Sequence, residues 1–223
     1  MKILNFKSAR RWLAILPFLI QACSVLAPRQ DQSRFFILTA APGGSPPEFV
    51  AGDHQIAVGV GPVSFPGYLK RTEMVTRVDA DRIKLSTENR WAEPLDSNFQ
   101  RVLCQDLAET LGIDRVVQFP WYGNPQIDYQ VEIQVHRFDT DEQGRAQLNA
   151  NWLIKDGRTG AVLFATQSTT NSDPDGSKGD TSAALSRDLE SFSRQIADQI
   201  AKLNQARSRE ASSRSSRFGQ STR

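Results

Sequence analysis

Two segments in the middle of the chain alternate between apolar and polar residues, and this pattern limits the fold more than any other feature. In the first segment the apolar residues are Ile127, Tyr129, Val131, Ile133 and Val135. The second segment repeats the pattern with Ala146, Leu148, Ala150, Trp152 and Ile154. A period of two predicts strands with one buried face and one solvated face. With a turn at 156–160 and a third strand over 161–169, residues 127–169 are predicted to form an antiparallel meander.

Two other segments have helical spacing and are expected to cover the dry face of this sheet. Residues 95–111 place apolar side chains at helical intervals, with Pro94 suited to the first turn and Gly112 to the position just past the end. A second helix is predicted to begin near Asp180 or Thr181, both candidate N-caps. Its apolar stripe consists of Leu185, Leu189, Phe192, Ile196, Ile200 and Leu203.

Shorter apolar runs add the remaining strands. They are predicted at 34–39, 55–60, 73–78, 82–86 and 115–119, and the pair 73–78 and 82–86 is predicted to form a hairpin. The order is strands, helix, strands, helix. This order favours an α+β fold, in which an antiparallel or mixed sheet carries two helices on one face as a two-layer sandwich.

The N-terminal region resembles a bacterial lipoprotein signal. A basic start is followed by an apolar run at 12–20 that is too short to span a bilayer as a helix. Ile20-Gln21-Ala22-Cys23 resembles a lipobox. The resemblance implies cleavage after Ala22 and lipid attachment at Cys23, and Ser24 favours the outer membrane by the sorting rule of that class. The alternative is an ordinary signal peptide, with Cys23 an incidental thiol.

The chain is therefore divided into four parts. We expect a signal peptide at 1–22, a lipidated Cys23 and tether at 23–33, one α+β domain at 34–203, and a Ser/Arg-rich tail at 204–223. The tail holds little apolar surface to bury, so it is predicted to be disordered.

Charge and cysteine content exclude two classes of protein. Residues 24–203 contain 18 basic and 24 acidic residues, a net charge of −6, so no nucleic-acid partner is expected. If Cys23 is lipidated, Cys104 is the other cysteine and stands alone, which excludes a disulfide framework. Cys104 flanks the apolar stripe of the first helix and is expected to pack as a small hydrophobe.

Catalytic patterns are weak in this sequence. The two histidines, His54 and His136, have no short metal-ligand spacing to another His or Cys, and the chain has no Gly-x-Ser-x-Gly elbow. The acidic turn at Asp139, Asp141 and Glu142 lacks the ligand spacing of a calcium loop, so it is predicted to be a solvated hairpin tip. We therefore expect no enzyme activity, no metal and no cofactor other than the lipid anchor.

Several motifs resemble the ABC-type transport auxiliary lipoproteins (PqiC-like). The most specific is Arg-Trp-Ala-Glu-Pro-Leu at 90–95, leading into 99–103 and 106–107. Further matching stretches are 56–63, 66–71, 75–77 and 156–160, together with the lipobox and the early 35–38 strand. The resemblance runs from Cys23 to Leu203, nearly the whole mature chain.

This resemblance implies a non-catalytic outer-membrane lipoprotein of an ABC/MCE-type intermembrane lipid transport system that contributes to envelope integrity. The implied partners are a periplasmic mammalian-cell-entry (MCE) domain protein and its inner-membrane transporter. The subunits are implied to form a homo-oligomeric ring on the periplasmic face of the outer membrane. The alternative is an accessory or pilotin-like factor of another outer-membrane complex, which would share the anchor and the fold type.

Three aromatic residues are candidate partner contacts. Phe65 and Tyr68 lie in a turn predicted to be exposed, and exposed aromatic residues are favoured at interfaces. Trp91 belongs to the most specific motif. For Trp91 the alternative is structural, since Pro94 would start the helix while Trp91 and Leu95 pack beneath it.

Overall fold

The computed structural model describes residues 31–40, 56–123, 125–174 and 181–220, with side chains described as far as residue 213. The chain divides into Met1–Gln32 and Ser33–Arg223, and every element below lies in the second unit. The predicted signal peptide and Cys23 lie outside the described residues. Among the described residues, no helix is both long and apolar enough to cross a membrane.

Eight strands form one open mixed sheet. They are β1 (Arg34–Phe36), β2 (Val58–Ser64), β3 (Glu73–Arg77), β4 (Ile83–Trp91), β5 (Val116–Gln118), β6 (Tyr129–Asp141), β7 (Ala146–Asp156) and β8 (Val162–Ser172). The strands β6, β7 and β8 form the predicted antiparallel meander, and β3 and β4 form the predicted hairpin. The pairs β1–β4, β2–β5, β2–β6 and β3–β6 are parallel.

Strand β6 is the centre of the sheet because it has neighbours along both sides. On one side it pairs with β7 along nearly its whole length. On the other side it pairs first with β2, from Tyr129 to Gln134, and then with β3, at Thr140 and Asp141. Residues 135–139 thus have neither strand opposite them. The connection at 65–72, with a 3-10 turn at Gly67–Leu69, fills this gap.

Two helices cover one face of the sheet, as predicted: α1 (Leu95–Leu111) and α2 (Thr181–Gln220). Gly112 ends α1 in the left-handed conformation, with φ of 62°, which a glycine adopts without steric cost. The buried residues of the predicted stripes face the sheet and include Phe99, Val102, Leu103, Leu107, Leu189, Phe192 and Ile196. The predicted α+β two-layer fold is confirmed.

Aromatic rings join the helices to the sheet at the middle of the core. The Phe99 ring of α1 contacts Phe65 at 5.2 Å and Phe138 at 5.3 Å, both edge to face, and Phe192 of α2 at 6.5 Å. Such pairs contribute about 0.5–1.5 kcal/mol each beyond their buried area. The packing fixes α1 and α2 on the sheet around Phe99.

The structure corrects the prediction for the C-terminal tail. Residues 204–220, predicted to be disordered, continue α2 as a helix. No proline occurs between Thr181 and Gln220, and the first glycine is Gly219, so nothing in the sequence stops the helix after the core ends. Once packing against the sheet has formed the first turns of α2, each further residue adds a backbone hydrogen bond without a new nucleation cost.

Candidate functional site

The face of the sheet opposite the helices has the chemistry of an interaction surface, and we call it the open face. Alternation along β6, β7 and β8 directs to it the side chains that lie between the buried ones. Most of them are neutral and polar: Gln130, Gln134, Gln147, Asn149, Asn151, Gln167, Thr169 and Asn171. Neither described helix lies on this face, so its amide and hydroxyl groups are available for contact.

Cross-strand hydrogen bonds order these amides before any partner binds. Gln147 donates to Asn171 at 2.8 Å, Asn149 donates to Thr169 at 2.7 Å, and Gln167 donates to Asn149 at 3.1 Å. Each side-chain amide has more donor and acceptor positions than these bonds use. The open face therefore offers fixed hydrogen-bonding groups with little net charge.

A groove of about 590 Å³ runs across this face between β2 and β8. Residues lining it on the open side include Ser64, Glu132, Gln134, Asn151, Leu153 and Ala165. The carboxylate of Glu132 is held by Lys155 Nζ at 2.6 Å and by Gln130 Nε2 at 3.2 Å. The groove therefore combines a mostly apolar lining with polar groups in fixed positions, which suits binding of a partner more than chemistry on a substrate.

The connection between β5 and β6 carries a pair of packed aromatic rings and an exposed tyrosine. In the β5–β6 connection, Phe119 and Trp121 meet edge to face at 5.1 Å. Trp121 and Ile127 pack closely over Gly59, where an added Cβ would lie 3.0 Å from the Trp121 ring and 2.9 Å from Ile127 Cδ1, so a larger residue there would displace these side chains. The next residue, Tyr122, is 95% exposed, and Val162 at the start of β8 is 56% exposed. Both side chains offer apolar contact area to a partner.

A buried ion-pair cluster around Asp139 orders the open face near the point where β6 pairs with β3. The Asp139 carboxylate is fully buried and accepts hydrogen bonds from Arg77 Nη2 at 2.9 Å, Arg137 Nε at 2.7 Å and the Tyr68 hydroxyl at 3.1 Å. Burial and the Asp139 charge together raise the pKa of Tyr68 to about 12. Hydrogen bonding to Asp139 also raises the pKa of Arg77.

This cluster corrects the prediction of a solvated acidic turn. Asp139 is not at the hairpin tip, because the irregular register near Val135 and Arg137 turns it toward the two arginines. A carboxylate buried this deeply needs such partners to remain charged. Asp141 does lie in the turn, where it accepts from the Arg145 guanidinium at 2.7 Å.

The three predicted partner-contact residues differ in burial and in the face of the sheet on which they lie. Phe65 is only 7% exposed and packs on the helix side of the sheet, so the prediction that it is exposed is wrong. The connection at 65–72 passes through the gap beside β6, which sends Phe65 to one face and Tyr68 to the other. Of the candidates, Tyr68 alone reaches the open face, where it is half-buried in the Asp139 cluster.

Trp91 follows the structural alternative. It is 5% exposed, and Leu95 beside it is buried in the same core. One turn into α1, Asn98 accepts a hydrogen bond from the Leu38 backbone amide at 2.6 Å and ties the helix start to the segment after β1. The most specific motif therefore supports the fold, and a side chain so buried is not a direct contact.

Groups suited to catalysis are few in the described part of the chain. No set of three His, Cys, Asp or Glu side chains there converges as metal ligands would. Cys104 is a free, partly buried thiol, as expected, and burial raises its pKa to about 12, which keeps it protonated at neutral pH.

Comparison with known proteins adds a family match. A family model described as "ABC-type transport auxiliary lipoprotein component" matches residues 36–201, which includes the sheet and the packed part of both helices. A comparison with curated protein sequences gives no match.

Solved structures with the same fold cover most of the chain. A Xanthomonas campestris protein of the DUF330 family has a TM-score of 0.66 at 15% identity, covering 79% of this chain and 99% of its own. The crystal structure of an uncharacterized protein has a TM-score of 0.61 at 17% identity, covering 75% of this chain and 98% of its own. At these identities the two structures support the fold alone.

Proposed function

Because this chain belongs to the family of ABC-type transport auxiliary lipoprotein components, we propose that it is a non-catalytic component of an ABC/MCE-type intermembrane lipid transport system. The observation that carries the proposal is the family match across 36–201, nearly the whole folded domain. In this role the protein receives an assembly of a periplasmic MCE-domain protein and an inner-membrane transporter, and so contributes to envelope integrity.

The proposed anchor places the domain at the periplasmic face of the outer membrane. Diacylglyceryl and fatty acyl chains on Cys23 would hold it there, since each buried CH₂ contributes about 0.8 kcal/mol to membrane binding. Ser24 supports the outer membrane through the sorting rule of bacterial lipoproteins. Several identical subunits would form a ring around the incoming assembly.

The open face is the proposed docking surface for the MCE-domain protein. Its amides are ordered in advance, so binding there costs less side-chain entropy than on a mobile surface. The groove supplies apolar contact beside these polar groups. The Asp139 cluster holds the adjoining connection in place.

The test is gentle detergent extraction of the tagged full-length protein from its native membranes. Mass spectrometry then identifies the co-purified proteins and the modification on Cys23, and native mass spectrometry gives the subunit count. One variant carries Gln134→Glu and Ala165→Glu, which put two negative charges into the groove. The matched control carries Gln195→Glu and Ala80→Glu, the same changes at exposed positions away from the groove.

We expect an MCE-domain protein to co-purify with the wild type and the control, and to be lost from the groove variant. We also expect a triacylated Cys23 and one defined subunit count above one. Equal recovery with both variants would remove the open face from the proposal. Recovery of a secretin or another outer-membrane channel in place of an MCE-domain protein would reject the transport role, and an unmodified Cys23 would reject the anchor.

A further inference from the structure

The last part of α2 extends past the region that matches the family. The match ends at residue 201, whereas the helix continues to Gln220. We call residues 208–220 the arm. At 1.5 Å per residue the arm is about 20 Å long. From Ser208 to Ser213, where side chains are described, every residue is exposed, so this part of the arm is not packed against the sheet.

The point where the arm leaves the domain is fixed by Arg207. Its guanidinium is paired with Asp156 at the end of β7, and it lies 3.9 Å from the Asp128 carboxylate just before β6. It also stacks over the Tyr129 ring, 4.9 Å from the ring centre. This half-buried clamp joins the helix to the end of the sheet, so the arm begins from a defined position and direction.

The composition of the arm differs from that of the domain. It contains Arg209, Arg214 and Arg217 against one acidic residue, Glu210, together with five serines. Its large apolar side chains are limited to Phe218. Protein interfaces depend on buried aromatic and aliphatic anchors, and among the residues of the arm Phe218 alone is of this kind. Arginine and serine, by contrast, are well suited to phosphate, through bidentate guanidinium contacts and hydroxyl hydrogen bonds.

We infer that the arm is an electrostatic contact for the anionic phospholipid headgroups of a membrane surface. The mature chain before the arm, residues 24–207, holds 19 basic and 24 acidic residues, a net charge of −5, and would be repelled by such a surface, so a separate basic element is needed for close approach. The arm has no apolar stripe for insertion, and its contact is therefore peripheral and sensitive to salt.

The inference uses the proposed lipid anchor only for the nearness of a bilayer. Its test therefore uses the whole mature chain with Cys23→Ser, which removes the anchor and leaves the arm. Binding is measured by co-sedimentation with vesicles of phosphatidylethanolamine and phosphatidylglycerol, and with vesicles of phosphatidylcholine alone, at low and physiological salt. Because this chain has no anchor and the vesicles contain no partner protein, the result tests the arm independently of the proposed anchor and the proposed transport role.

The test variant carries Arg209→Ser, Arg214→Ser and Arg217→Ser. The matched control carries Arg34→Ser, Lys70→Ser and Lys84→Ser, three exposed basic residues of the domain. Each basic residue near an anionic surface strengthens binding about fivefold, so the arm variant should lose roughly 100-fold in partitioning to the anionic vesicles. The control should bind like the parent, and neutral vesicles should bind none of them.

Three results would overturn the inference. The first is an absence of binding by the parent chain to anionic vesicles at low salt. The second is an equal loss of vesicle binding in the arm variant and the control, which would show that binding depends on the net charge of the chain and not on the arm. The third is an arm variant that keeps vesicle binding but loses a co-purified protein from membranes, which would make the arm a protein contact.

Discussion

At the scale of single residues, Asp188 is a buried carboxyl group with no positively charged partner described beside it. It is fully buried on α2, where Thr170, Ser172 and the Leu148 amide face it. Neither of its carboxylate oxygens has a partner within hydrogen-bonding geometry among the described residues. Burial raises the pKa of Asp188 to about 6. Ionisation is therefore less favourable in the folded chain than in the unfolded chain.

Replacing Asp188 with Asn should stabilise the protein at neutral pH. Because the folded pKa is higher than the unfolded value, Asp188 contributes most to stability below pH about 4, and this contribution is lost as the pH rises from about 4 to about 6. The loss approaches about 3 kcal/mol at pH 7. Urea unfolding of both proteins between pH 4 and 8 should show this decline in the wild type and a flatter profile in Asp188→Asn.

The matched control is Asp198→Asn, at an exposed position ten residues further along the same helix. It should leave the pH profile of the wild type unchanged. A decline with pH in Asp188→Asn as steep as that of the wild type would mean that another group causes it.

Single residues are also where the sequence predicted least. Of the two arginines that pair with Asp139, Arg137 lies two residues before it on β6, but Arg77 lies 62 residues away and becomes visible as a partner only once β3 and β6 are paired. The apolar period of two predicts which face of the sheet a strand residue occupies, but it does not predict the burial of residues in the connections between strands. For that reason the prediction that Phe65 is exposed was wrong, whereas Tyr122, also in a connection, is 95% exposed.

At the scale of elements, periodicity predicted what is regular. The bounds of α1 at 95–111 are those predicted, and the meander and the hairpin are confirmed. The parallel pairings of β6 with β2 and β3 were not predicted, because they depend on contacts between segments distant in sequence. The helix beyond Leu203 was missed because composition alone does not show that a packed helix continues past its core.

The connection at 65–72 holds the sheet together, and substitution of Phe65 tests how much it contributes to stability. Phe65→Ala removes a ring that contacts Phe99 edge to face and leaves a cavity in the core. We expect a loss of about 3–5 kcal/mol in the free energy of unfolding, measured by urea denaturation. Tyr122→Ala removes a ring exposed to solvent and should change stability by less than about 0.5 kcal/mol. A small effect of Phe65→Ala would place this ring outside the core.

At the scale of the whole molecule, three parts carry separate tasks. The lipid on Cys23 is the proposed anchor, the open face is the proposed docking surface, and the arm is the proposed headgroup contact. The core residues of α2 end at Ile200, with Leu203 partly buried against them. Beyond that point the helix is tied to the sheet by Arg207 and by Asn204, which accepts a hydrogen bond from the Tyr129 hydroxyl at 3.5 Å, and the described side chains at 208–213 are all exposed.

Deleting residues 208–223 should therefore remove one task and leave the others intact. The truncated chain keeps Arg207 and every core residue, so its free energy of unfolding should stay within about 0.5 kcal/mol of the full chain. Extraction from membranes should recover the same partner protein, since the open face is unchanged, while binding to anionic vesicles by the unlipidated chain should fall to background. A truncated chain that unfolds more easily would show that the arm supports the fold. Loss of the partner protein would instead show that docking and headgroup contact are one function.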